Sequence, residues 1–188
     1  SDSVQLMRAE VPGPVFGKLV SKLAKTARIL YAIYLVMTAI MVIILMLVKV
    51  PLFDALLLSF GTAGTGGFSI NNAGFAIYQN PEMVEWIIGV GMMLFGVNFN
   101  LYYFLLLGSI RDVLTDEEGR SYIGIIAFAS VAIFASLSIV QSQLDVPFRS
   151  VFFTVSSIIT TTGYSTADFG QWGVFPQVVL LLLMFVGG

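Results

Sequence analysis

Histidine and cysteine are both absent from the 188 residues. Without histidine the chain lacks the commonest general base and the commonest metal ligand. Without cysteine it has no disulfide framework and no thiol chemistry. A Ser-His hydrolase is therefore excluded within this chain, and no enzyme activity or covalently bound cofactor is expected. Charge is also sparse: nine Lys and Arg and eleven Asp and Glu make up 11% of the residues, against about 25% in a soluble domain. The net charge of −2 and the lack of a basic, aromatic-interleaved stripe give nucleic acid nothing to bind.

What is present is apolar: 57% of residues are hydrophobic, with a mean hydropathy of +0.93. Hydrocarbon is the expected solvent, so the lipid bilayer is the first partner. The start, Ser1-Asp2-Ser3, and the end, the apolar run Met184-Phe185-Val186-Gly187-Gly188, suggest a fragment of a larger protein. The run since Pro176 is shorter than the ~20 residues a spanning helix needs.

The fold class expected is an all-α membrane protein built from tandem helix–pore-loop–helix repeats, one complete and one truncated. Residues 1–28 read as a cytoplasmic linker carrying Arg8, Lys18, Lys22, Lys25 and Arg28. The first repeat covers 29–108: outer helix 29–48, half-helix 52–64, strip 65–69 and inner helix 83–108. A charged cytoplasmic loop follows at 109–120. The second repeat, 121–188, has outer helix 121–141, half-helix 148–160, strip 161–165 and the start of an inner helix at 174–188. This count puts seven of the nine Lys and Arg on the cytoplasmic side, as the positive-inside rule requires.

The repeat is visible without gaps at one offset. Residues 50–69 align on 146–165, with Val50-Pro51 matching Val146-Pro147 and Thr65, Gly67 and Ser69 matching Thr161, Gly163 and Ser165. The 13-residue runs between proline and strip reach only about 20 Å as helix, too short to cross. Non-helical backbone is tolerated at membrane depth only when buried in protein or lining a wet path. A half-helix whose C-terminus points at the strip places about half a negative charge there, which favours a cation. Glycine lets successive carbonyls turn to one axis, and Thr65, Thr161 and Thr162 can add hydroxyl oxygens. A ring of carbonyls suits potassium. The expected ion-binding residues are Thr65, Gly66, Gly67, Phe68, Thr161, Thr162, Gly163 and Tyr164.

Thr162-Gly163-Tyr164-Ser165 resembles the potassium-channel signature Thr-Val-Gly-Tyr-Gly, and Gly66-Gly67-Phe68-Ser69 is its looser partner. Together with the repeat plan, these motifs are similar to the Trk/Ktr/HKT superfamily of potassium transporters. The stretch Thr160-Thr161-Thr162-Gly163-Tyr164-Ser165-Thr166-Ala167-Asp168-Phe169 resembles the third pore loop of bacterial TrkH-type proteins, and the first strip their second. The resemblance extends to the linker Arg8-Ala9-Glu10-Val11-Pro12-Gly13-Pro14. It implies potassium transport across the plasma membrane, in bacteria the inner membrane, by a multi-pass protein. It also implies four such repeats around one pore, a homodimer, and a cytoplasmic nucleotide-binding regulatory subunit. A gate loop of small residues would begin at Gly187 and Gly188. The other reading of the short helices is a sodium-coupled secondary transporter with broken helices.

Several polar residues carry two readings. Asn98 and Asn100 either hydrogen-bond between helices or face a wet cavity below the filter. Asp54 and Asp168 either recruit cations at the outer mouth or serve as caps and solvated charges. Arg149, at the start of the second half-helix where the first has Phe53, is expected to snorkel or pin a loop. Trp86, Trp172 and Tyr78 are expected to be interfacial anchors.

Overall fold

A computed structural model of the chain describes residues 14–69, 74–140 and 145–187. The linker residues 1–13, the loop residues 70–73 and 141–144, and Gly188 of the expected gate lie outside the described residues. Among those described, all regular structure is helical. In chain order the α-helices are α1 (Pro14–Leu47), α2 (Leu52–Ala63), α3 (Pro81–Phe95), α4 (Phe99–Leu106), α5 (Ile110–Thr115), α6 (Glu117–Val140), α7 (Phe148–Ile159) and α8 (Val174–Gly187). Short 3-10 turns at Gly74–Ile77 and Phe169–Gln171 carry the chain from each strip to the next helix.

Two segments are long and apolar enough to cross a membrane, Lys25–Leu47 in α1 and Glu117–Ile139 in α6. Their outward faces carry exposed Leu35, Ile43, Phe128 and Ile139, a surface that suits hydrocarbon rather than water. The inner helix expected at 83–108 is not continuous. It breaks between α3 and α4 with a bend of 85°, and only as a bent pair would it count as a third span. Gly96 ends α3, and Asn98 restarts the chain as α4's N-cap by accepting from the Asn100 amide at 3.0 Å. A side-chain acceptor at that point competes with helix continuation. The Nδ2 group of Asn98 donates to Glu118 at 3.1 Å, tying the bend to the first turn of α6.

Each half-helix enters from a proline with the same backbone angles: φ −56°, ψ 146° at Pro51 and φ −67°, ψ 148° at Pro147. Proline's fixed φ and missing N–H suit a helix start. Helix α2 then buries Ala55, Leu58, Ser59, Thr62 and Ala63, spaced three and four apart on one face. In α7, Val151, Val155 and Ile159 form one stripe while Phe153 lies off it.

Those two faces of α7 divide the core. Val151, Val155 and Ile159 join Ile126, Ile133, Leu137, Trp172 and Leu180 in the second repeat's own cluster. Phe153 joins Leu45, Leu58, Val84, Ile88 and Met92 in the cluster of the first. Helix α7 packs most extensively on α3 of the other repeat, so the repeats are joined through the second half-helix. Trp172 is therefore a core residue, 2% exposed, and not the interfacial anchor its composition class suggested. Its large ring belongs to the same buried cluster as Val151 and Val155 instead of meeting water.

Helix α1 closes with Lys49 in the left-handed region at φ 71°. The Val50 and Lys49 amides bond back to the Leu45 and Met46 carbonyls at 3.1 and 3.0 Å, the paired closure usually built on glycine. Lys49→Gly is expected to stabilise the protein by about 0.5–1 kcal/mol, since glycine takes this φ without Cβ strain. Thermal unfolding in detergent measures it, and an unchanged or lowered midpoint would contradict the strain.

Candidate functional site

The strips begin where the half-helices are forced to stop. Gly64 donates to the Phe60 carbonyl at 2.8 Å, Thr65 to Thr62 at 3.4 Å and Gly66 to Gly61 at 2.7 Å. In the second repeat Thr160 donates to Ser156 at 3.2 Å, Thr161 to Ile158 at 3.0 Å and Thr162 to Ser157 at 2.9 Å. Every partner is shifted by the same sequence offset, so the repeat holds at the level of individual hydrogen bonds. The pattern is again the closure that wants a left-handed residue just past the cap. Here that residue is Thr65 (φ 51°) and Thr161 (φ 56°).

A β-branched residue at positive φ is a genuine outlier, and holding one there costs about 1–3 kcal/mol. The same strain occurs twice, at equivalent positions. Gly67 (φ 63°) and Gly163 (φ 87°) follow two residues later, so left-handed backbone recurs at alternate positions in both strips. Among the described residues, the carbonyls of Thr65, Gly66, Gly67, Thr161, Thr162 and Gly163 accept no hydrogen bond. The two strips also meet. A Cβ placed on Gly67 would collide with the Thr162 carbonyl oxygen and the Gly163 backbone, whereas one on Gly163 would meet open space. Six uncommitted carbonyls thus gather at the C-terminal, electronegative ends of two half-helices.

The remaining expected ligands divide. The Tyr164 carbonyl accepts from the buried Ser157 hydroxyl at 2.7 Å. Its ring, 4% exposed, lies against Gly61 with its hydroxyl directed at the Leu58 carbonyl at 3.4 Å. Tyr164 is thereby braced on the first half-helix, while its counterpart Phe68 is 85% exposed. Of the threonine hydroxyls, that of Thr162 is buried and 2.8 Å from Thr160 Oγ1. It is turned into the fold and does not join the carbonyls. Thr65 and Thr161 are exposed.

The acids expected at the mouth have local partners. Asp54 accepts from the Tyr78 hydroxyl at 3.1 Å. Burial first, and then the Asp54 charge, push that phenol up to about 12, so it stays a donor. Asp168 caps the second 3-10 turn through the Gly170 amide at 3.1 Å and holds Gln171 Nε2 at 2.9 Å. Arg149 pairs with Glu82 at 3.1 Å and with Glu85. Thr166, just after the second strip, donates to Glu85 at 2.7 Å, so the loop is held by Glu85, and Arg149 bonds to the same carboxylate. Sequence reasoning passed over Glu82 and Glu85. The signal was available: they are the only charges between 81 and 95.

At the end of α7 away from its proline, a cavity of about 400 Å³ is lined by Gly96, Asn98, Glu118, Tyr122, Ile159 and Gly187 among others. Asn98 faces it and Asn100 does not. Gly187 packs on the Ile159 carbonyl, and Gly96 on Tyr122 and Thr160.

The sequence profile of the TrkH family, described as cation transport protein, matches residues 1–113. The chain belongs to this family. Among its relatives, the Trk system potassium uptake protein TrkH of Salmonella typhimurium is 33% identical over 190 residues, covering 98% of this chain and 39% of that protein. The Escherichia coli K12 protein of the same name is 34% identical over 191 residues, with the same coverage. The crystal structure of the potassium transporter TrkH from Vibrio parahaemolyticus superposes with a TM-score of 0.80 at 29% identity, covering 98% of this chain and 40% of that one. The chain thus spans about two fifths of the length of these relatives, and its helical pore-loop fold is theirs.

The strip contact makes an asymmetric prediction. Gly163→Ala should cost only the about 1–2 kcal/mol of left-handed strain, whereas Gly67→Ala adds a backbone collision and should destabilise by more. Thermal unfolding of the two variants ranks them, and equal losses would contradict the contact.

Proposed function

We propose that this chain is part of the pore-forming subunit of a potassium uptake protein in a bacterial plasma membrane. Potassium crosses through a filter of backbone carbonyls to which the strips 65–68 and 161–164 contribute. The observation that carries this reading is the pair of strained, left-handed threonines, Thr65 and Thr161, at matching ends of two half-helices that meet at Gly67 and Thr162. Strain of this kind persists where a local geometry is required and the surroundings enforce it. Carbonyls held in advance replace the hydration shell of a cation without a further ordering cost.

The carbonyls of Thr65, Gly66, Gly67, Thr161, Thr162 and Gly163 are the ion ligands in this proposal, with Phe68 and Tyr164 closing the outer ends. Two further repeats of the same plan complete the ring. The N-terminal basic segment is cytoplasmic. The protein acts as a homodimer together with a nucleotide-binding regulatory subunit, as the Trk resemblance implies. The cavity at Asn98 and Gly187 is the wet space on the inner side, and Gly187 begins the gate.

The test uses the full-length protein in cells lacking their own potassium uptake, grown across a potassium series. Wild type is expected to restore growth at low potassium, and Gly163→Ser to remove that rescue while the protein remains in the membrane. Failure of a well-inserted wild type to rescue would overturn the proposal, as would full rescue by the variant.

A further inference from the structure

Behind the second strip lies a carboxylate that the filter itself does not use. Glu85, on α3 of the first repeat, is 6% exposed. Both of its oxygens are engaged: Oε1 accepts from Thr166 Oγ1 at 2.7 Å and Oε2 from Arg149 Nε. Arg149 is held from its other side by Glu82 at 3.1 Å. One buried acid therefore links the first turn of α7 to the residue that follows Thr161-Thr162-Gly163-Tyr164-Ser165, and links both to the neighbouring repeat.

The clamp is not needed to make a half-helix. Helix α2 forms from the same proline start with Phe53 where α7 has Arg149, and the sequence has Ile70 where the second repeat has Thr166. A cation in the first turn of a helix opposes the macrodipole, so Arg149 adds nothing to α7 on its own account. Its carboxylate partner lies on α3, and the carboxylate's other oxygen points to the strip. Nor is Glu85 a cation ligand, since the guanidinium already neutralises it.

We propose that Glu85 is a positioning residue for ion selection, fixing the outer end of the second strip through Thr166. The proposal rests on the filter reading above. Ser157 holds the strip from within α7 and Tyr164 ties it to α2, while Glu85 sets the point where the chain leaves the strip. A hydrogen bond to a charged, desolvated acceptor is stronger than a neutral one and fixes direction.

The experiment measures rubidium-86 uptake by the full-length protein in cells lacking other potassium uptake, with potassium and sodium as competitors. Thr166→Val keeps the side-chain shape and removes only the hydroxyl. It is expected to lower the preference for potassium over sodium by about tenfold, the factor for one such hydrogen bond, at a wild-type amount of protein in the membrane. Thr166→Ser is expected to restore the preference, and Glu85→Gln to lower it. Thr166→Val or Glu85→Gln with wild-type preference would overturn the proposal, as would a loss confined to membrane abundance. Wild type that takes up no rubidium would overturn the filter reading and this inference with it. Wild-type uptake beside unaltered variants overturns the brace alone.

Discussion

The organisation of this chain depends on stopping two helices in mid-fold with a β-branched residue in left-handed backbone. Thr65 and Thr161 follow the caps of α2 and α7, where glycine would be free of strain. The six hydrogen bonds that close the two helices match pair by pair. They satisfy the amides of the closing turns and so offset part of the strain at the threonines. Once the helices end there, the following carbonyls have no helical partner. They follow the C-terminal ends of both half-helices, where a helix dipole favours a positive charge.

The rest of the fold keeps that geometry from relaxing. Helix α7 is the joint, with one face in the second repeat's core and Phe153 in that of the first. Tyr164 reaches across to Gly61 and Leu58. The two strips touch so closely that Gly67 cannot carry a side chain. Strain at the threonines is therefore opposed by packing distributed over both repeats, which is how a close-packed interior transmits local constraint. The exposed Phe68, by contrast, marks the side of the first strip on which nothing in the described residues packs.

Several features of the fold were legible because they have short-range causes. The Val-Pro starts, the short apolar runs and the Thr/Gly strips each carry a local backbone consequence, and their recurrence at one offset identified the repeat. The break at Gly96 was not legible, because a glycine in an apolar run is tolerated in helices. At the bend of 85° Asn98 caps the next helix through the Asn100 amide and bonds to Glu118, a partner 20 positions away. Trp172 misled for a similar reason: its residue type suits a membrane interface, yet α7 supplied a core for it.

By itself, the sequence determined the apolar solvent, the two half-helices and the two strips, since these follow from hydropathy, proline and glycine acting within a few residues. Only the tertiary structure decided which polar atoms remain uncommitted. Asp54, Asp168 and the Thr162 hydroxyl proved to have partners, and Glu85 proved to bridge Arg149 and Thr166. The physical reason is that a polar group's role in a low-dielectric interior is set by whatever donor or acceptor comes within about 3 Å of it. Those neighbours come from residues up to 81 positions away in the chain.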